Sequence, residues 1–317
     1  MKKHTIWVGV GVLALVVSSE LVARYVFGLG TPPLSQTHPR IEYLFKPNQD
    51  VLHFGHRILI NKYGMRSNNF PIAKSVGEYR VMVFGDSVLN GGNLTDHEDL
   101  ATSVLSHRLK ELLGSPVIVG NISAGSWGPG NWLAYAQEYG FFGADAVVLV
   151  ISSHDIADNP TFAPLNPNTH PQRSPASALL QGLMRYLPSY LPNSRSELQL
   201  RQSTAEMHAE DAVQHGQSDL VAFLTLAHQQ VPRVLVLQHP ERVELGPDGP
   251  KTGYSLIGAA ARRQGAEVIS LFPYMKSVFD HGENPYRDNI HVNDRGQRVL
   301  ADALLDALMS KSNTRTR

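Results

Sequence analysis

Five short apolar runs constrain this chain more than any other feature: Tyr79 to Phe84, Val117 to Gly120, Ala146 to Ile151, Val234 to Leu237 and Glu267 to Leu271. Runs of this length, bounded by turn residues, read as strands buried on both faces. Helical patterns fill most of the gaps. Leu100, Val104, Leu105, Leu109, Leu112 and Leu113 make one apolar face. Trp132 to Tyr139, Leu220 to His228 and Ser255 to Arg263 suggest three more helices, and a last one runs from Gly296 to Met309. Such alternation predicts an α/β fold: a doubly wound, five-stranded parallel sheet with helices on both sides, three layers in all. Working residues in such sheets sit on loops beyond the carboxyl ends of the strands.

The segment before the sheet divides in two. Residues 29–40 form a Pro-rich polar linker with no apolar period, and residues 41–78 carry short alternating stretches such as His56 to Asn61, read as a small β-rich preface. Within the α/β domain, 79–309, the stretch 159–216 breaks the rhythm. It is Pro-rich and polar with one helical patch, Ala176 to Tyr186, and is too long for an ordinary connection, so it is a lid or an insertion. Residues 310–317 read as a polar tail.

At the N-terminus, Lys2-Lys3-His4 precede an uncharged apolar stretch from Ile6 to Ser19, the order of an export signal. A full span needs about 20 apolar residues, and Glu20 interrupts this one. Either Val17 and Ser19 mark a cleavage site that releases a periplasmic protein, or Glu20 and Arg24 pair at helix spacing and residues 1–28 stay as an uncleaved signal anchor. The second route gives a single-pass inner-membrane protein with a periplasmic catalytic domain.

Composition narrows the chemistry. Lys and Arg together number 28 and so do Asp and Glu, with no run of one sign, so nothing marks a nucleic-acid partner. The chain has no cysteine, which removes disulfides, thiolate metal sites and cysteine nucleophiles together. No His-Glu-x-x-His or comparable spacing appears, so no metal and no cofactor is expected.

Two motifs at opposite ends of the α/β region point to nucleophilic catalysis. Gly85-Asp86-Ser87 follows the first strand and would present the serine hydroxyl at the rim of the sheet. A hydroxyl is a weak nucleophile without a neighbouring base. Asp288-Asn289-Ile290-His291 precedes the last helix, and an Asp three residues before a His can fix the ring tautomer and leave the other nitrogen free for the serine. Either motif alone would more often be a connecting turn. Together they nominate Ser87, His291 and Asp288.

In these motifs the chain resembles the SGNH/GDSL hydrolases, over roughly residues 79–308. The resemblance implies a flavodoxin-like three-layer sheet, and it assigns the oxyanion hole to backbone N–H groups of Ser87 and of the turn Asn121 to Gly128. Counting from Asn121 puts that donor at Ser126, beside Gly125. One position departs from the pattern. After the third strand the family carries an Asn that donates to the oxyanion, and here Ser152-Ser153-His154-Asp155 places His154 there. Three alternatives stand: His154 takes over the donor role, it contacts substrate, or the site is impaired. Asp155 and His239 are candidates for substrate contact, although a lone His in a loop is more often structural.

The basic, apolar N-terminus adds a resemblance to membrane-anchored bacterial members linked to exopolysaccharide O-acyl modification. That implies an acylated, most simply acetylated, carbohydrate as substrate, contact with the inner membrane, and polysaccharide-assembly proteins as partners. Three functions fit: an O-acyl esterase, an O-acetyltransferase with the same triad, and a non-catalytic carbohydrate-binding protein on this scaffold.

Overall fold

The computed structural model describes residues 2–186 and 209–310. It begins with α1 (Lys2–Tyr25), whose stretch His4–Tyr25 is long and apolar enough to cross a membrane, with a mean hydropathy of 2.1 and only 6% of it buried. Two antiparallel hairpins follow, β1 (Ser35–His38) with β2 (Glu42–Phe45), and β3 (Gln49–His53) with β4 (His56–Ile60). β1 falls within 29–40, the stretch expected to lack regular structure. It is polar and lacks an apolar signature of its own. It forms by pairing with β2, where Gln36 and Thr37 lie opposite the buried Leu44 and Tyr43.

From residue 79 strands and helices alternate: β5 (Tyr79–Gly85), α2 (Ser87–Asn90), α3 (Ala101–Leu113), β6 (Val117–Ser123), α4 (Pro129–Tyr139) and β7 (Ala146–Ser152). Then come α5 (Ala178–Gln181), continued by a π turn over Gly182–Tyr186, α6 (Ala209–Gln230), β8 (Arg233–His239), α7 (Thr252–Arg263), β9 (Glu267–Ser270), α8 (Phe272–Asp280) and α9 (Asp294–Met309). The patch expected to be helical, Ala176 to Tyr186, is α5 with its π turn. Residues 187–208 of the long insertion and 311–317 of the tail lie outside the described residues, and α6 already begins inside 159–216.

The five strands pair in parallel in the order β6-β5-β7-β8-β9, so this is the doubly wound, flavodoxin-like sheet the sequence predicts. Side chains of a strand point alternately to the two faces, and the core divides accordingly. Met82, Phe84, Val147, Leu149, Val234 and Val236 face a layer built by Trp132 and Tyr135 of α4, Leu220 and Phe223 of α6 and Ile257 of α7. Val81, Val83, Val148, Val150, Leu235 and Leu237 face Leu105 and Leu109 of α3, Met275 of α8 and Leu300 and Leu304 of α9. The chain reverses its winding between β5 and β7, and at such a switch point the loops after the two strands part and leave a crevice. Ser87 follows β5 and lies at this crevice.

Arg80 ties the preface to this sheet. Its buried guanidinium donates to Glu78 at 2.6 Å, to the carbonyls of Ile72 and Phe142 at 2.9 and 2.7 Å, and to that of Pro71 at 3.1 Å.

Candidate active site

β5 ends at Gly85, where a side chain would not fit: an added Cβ would come 2.8 Å from Leu89 Cβ and 3.2 Å from the Val150 carbonyl. The Gly85 carbonyl accepts the indole N–H of Trp132 at 2.9 Å, which pins the end of the strand. Asp86 then caps α2 by accepting the Val88 N–H at 2.9 Å, and Ser87 opens that helix.

Tyr286 and Val292 pair as an isolated bridge, so 286–292 forms a closed loop. Several bonds bolt this loop to the segment after β8. Tyr286 donates to the Pro240 carbonyl at 2.6 Å, the Arg242 N–H to the Asn289 carbonyl at 2.7 Å, and Asn289 Nδ2 to Glu241 Oε2 at 2.8 Å. On this support His291 Nε2 stands 3.0 Å from Ser87 Oγ, and Nδ1 stands 2.7 Å from Asp288 Oδ2. The other Asp288 oxygen accepts the N–H groups of Ile290 and His291, each at 2.8 Å. Burial would raise the Asp288 carboxyl, but bonds from the His291 N–H, the His291 ring and the Ile290 N–H outweigh it and hold the group below the usual carboxylate range. Asp288 is therefore an acceptor at neutral pH, and Nδ1 carries the proton that faces it. Nε2 is left to accept from the serine. The three residues nominated from sequence are thus brought into one hydrogen-bonded chain.

Ser87 has a second acceptor. Its hydroxyl lies 3.3 Å from Asp86 Oδ2, whose carboxyl burial pushes above its ordinary range against the pull of His154, the Val88 N–H, His291 and Ser87.

The turn after β6 comes to the same place. Ser126 adopts a left-handed backbone, φ 56°, and the Gly125 carbonyl accepts the Tyr43 hydroxyl at 2.5 Å, so the preface holds this turn directly. Gly128 packs so closely on the turn after β7 that an added Cβ would lie 1.9 Å from the Asp158 carbonyl.

His154 occupies a different setting from the one expected of an oxyanion donor. Its Nε2 lies 3.2 Å from Asp155 Oδ1 and 3.7 Å from Asp86 Oδ2, and its Nδ1 lies 3.4 Å from Glu241 Oε1. Both nitrogens face carboxylates, and no hydrogen bond joins the ring to Ser87 or Ser126. The backbone explains this: His154 precedes a 3-10 turn over Asp155–Ala157, and Asp155 folds back to accept the Ser152 N–H at 2.6 Å. Burial, with Asp86 close by, raises the Asp155 carboxyl well above its ordinary range.

Asp155 and His239 are both 0% exposed, so neither presents a side chain to a ligand. His239 instead supports the loop of His291, with Nε2 3.1 Å from the Ile290 carbonyl, and burial pushes its ring down to about 4. Asp86, His154 and Asp155 each offer a ligand atom within 4.8 Å of the others. Two carboxylates and an imidazole are a donor set for a divalent cation, yet here the ring itself faces the carboxylates.

Two clefts meet at Ser87. One, about 160 Å³, is lined by Pro32, Pro33, Tyr43, Gly125, His170 and Arg185 among others. The other, about 230 Å³, runs past Gly91, Leu94, Arg287, His291 and Val292. The loop between them is held by two arginines that no sequence motif signalled as a pair. Arg66, fully buried, donates to the carbonyls of Asn90 and Thr95, both at 2.6 Å, and to that of Gly92. Arg287 donates to the Leu94 carbonyl and to Thr95 Oγ1.

Neither family models nor curated proteins match this chain. Among solved structures it is similar to Axe2, an acetylxylan esterase from Geobacillus stearothermophilus, at 12% identity and a TM-score of 0.46, over 74% of this chain and 95% of that one. It is also similar to the acetyl xylan esterase AlAXEase (14%, TM-score 0.47, 73% and 100%). A third is LAE5, an alpha/beta hydrolase from the metagenome of Lake Arreo, Spain (15%, TM-score 0.44, 72% and 94%).

Proposed function

We propose that this chain is a serine-dependent hydrolase of O-acyl esters of the SGNH/GDSL type, acting on an acetylated carbohydrate outside the cytoplasm from an inner-membrane anchor. The observation that carries the chemistry is the unbroken chain Ser87 Oγ–His291–Asp288, at 3.0 and 2.7 Å. Ser87 Oγ attacks the ester carbonyl as its proton passes to His291 Nε2, and Asp288 steadies the ring through Nδ1. The negative charge that forms on the carbonyl oxygen is met by the backbone N–H groups of Ser87 and Ser126, which need no reorganisation at the moment of reaction. His291 then hands its proton to the departing alcohol, leaving the acyl group on Ser87, and water releases it as the acid.

The carbohydrate, the acetyl group and the membrane orientation come from the family resemblance and the apolar α1. A second reading, acyl transfer, draws on the two clefts: the leaving alcohol must lie on the His291 side to receive its proton, and the same cleft would admit an accepting alcohol in its place. Incubation with an acetylated oligosaccharide, with and without an unacetylated one, separates the readings by mass. Free acetate in both samples supports hydrolysis, and acetyl appearing on the added sugar supports transfer. Turnover by Ser87→Ala equal to that of the wild type would overturn both.

A further inference from the structure

The last turns of α1 are built into the cleft side of the fold. The Glu20 carboxylate accepts the Ser177 hydroxyl at 2.8 Å and the N–H groups of Ala178 and Leu179, each at 2.9 Å, so it caps the first turn of α5 from another element. Arg24 holds the same carboxylate at 2.7 Å, and Gln181 accepts the Gly30 N–H at 2.7 Å. Ala23, Leu29 and Ala178 close a small apolar cluster beneath.

This clamp fixes the height of α5 along the span. Glu20 precedes the last residue of α1, Tyr25, by about 7.5 Å of helix rise. The first turn of α5 therefore lies alongside the apolar helix, below its end. On its outer side Leu180, Leu183 and Met184 recur at i, i+3 and i+4, and are 53%, 49% and 65% exposed. Leu180 and Met184 border a shallow cleft with Pro167, Pro171 and Arg173, and the end of α1 beside this segment leads into the exposed Val26 and Phe27. An interfacial segment settles about 5–10 Å into the boundary between headgroups and chains, a depth comparable with the helix rise from Glu20 to the end of α1. The same stretch walls the cleft at Ser87, which Pro32 and Pro33 border from the end of α1 and Arg185 from the π turn.

We propose that Ala178–Tyr186 lies in the membrane interface beside α1, with Leu180, Leu183 and Met184 among lipid, so that one wall of the Ser87 cleft is seated on the bilayer. The partner is the lipid surface itself. The proposal rests on the anchored reading above, since a protein cleaved before Glu20 would have no span to hold this segment at that depth.

The absence of cysteine allows a direct test. Full-length Met184→Cys, Leu13→Cys and Leu112→Cys proteins are labelled with an environment-sensitive fluorophore and reconstituted into phosphatidylcholine liposomes containing nitroxide-bearing lipid. Leu13 lies within α1. Leu112 lies in the last turn of α3, which runs back from the Ser87 edge of the sheet to the opposite edge. The labels at Leu13 and Met184 should lose most of their emission, while the label at Leu112 keeps it. Quenching at Leu13 with none at Met184 would overturn the proposal and leave the anchor standing. No quenching at Leu13 would overturn the anchored reading, and the proposal with it.

Discussion

The Ser87 hydroxyl lies 3.0 Å from His291 Nε2, although the two residues are 204 positions apart in the chain. Two independent structures hold that distance: the cap of Asp86 on α2, and the bolting of loop 286–292 to the segment after β8 through Tyr286, Asn289 and His239.

Asp288 orients His291 through its charge as well as its shape. Asp288→Asn keeps the size but turns a donor toward Nδ1 and favours the wrong tautomer. We expect turnover of an acetyl ester to fall by roughly 10⁴, the scale of such a change in a Ser-His-Asp triad, with stability little altered. Steady-state kinetics beside a denaturation curve check both parts.

Ser126 sits at φ 56°, a conformation that disfavours any residue with a Cβ by about 1–2 kcal/mol. Ser126→Gly removes that strain, and the greater freedom of the unfolded chain takes back about 0.4–1 kcal/mol. A net gain of about 0.5–1 kcal/mol in denaturant unfolding should result. Turnover should be kept, because the proposed oxyanion donor is the backbone N–H.

His154 separates two roles that sequence left open. Asp155 Oδ1 and Glu241 Oε1 are buried and make no hydrogen bond, and the His154 ring stands 3.2 and 3.4 Å from them, so His154→Ala removes the polar neighbour that offsets their desolvation. The expected cost is about 1–3 kcal/mol of stability. A free oxyanion donor would behave otherwise, with turnover reduced about 10²–10³-fold and folding unchanged. Measuring unfolding and turnover on the same variant distinguishes them.

His239 is buried with its ring pushed down to about 4, from an ordinary value of 6.5. Its folded form resists protonation while its unfolded form does not, so the stability it contributes is complete above pH 6.5 and is lost as pH falls toward 4. Asp86 and Asp155, whose carboxyls burial raises, shift in the opposite sense. The comparison is therefore the stability of wild type minus that of His239→Gln at each pH, and this difference should shrink steadily through that window.

The sheet and the meeting of Ser87, His291 and Asp288 are legible in the sequence for a common reason: both are carried by local signals. Val81, Val83, Val148 and Val150 are buried because their strands are covered on both faces, which leaves an unbroken apolar run. Gly-Asp-Ser and Asp-x-x-His each place their chemistry within one turn. What the sequence conceals depends on distant partners. β1 has no apolar pattern and exists through its pairing with β2. α8 is not among the helices expected from the sequence, and its Pro273 stands in the first turn, where proline is well suited. The burial of Asp155 and His239 and the carboxylates around His154 are set by three separate loops. No local pattern reveals that Arg66 supports the loop beyond Ser87, or that Glu20 caps α5 across the fold.

The central claim is that Ser87 is a nucleophile activated by His291. A fluorophosphonate probe, which reacts with activated serine hydroxyls, tests it most directly when the labelled protein is digested and the modified peptide is sequenced by mass. The account predicts one modification, on Ser87, which disappears in Ser87→Ala and is strongly slowed in His291→Ala while both variants unfold cooperatively. Labelling of another residue, or labelling of Ser87 that proceeds at the wild-type rate without His291, would contradict it.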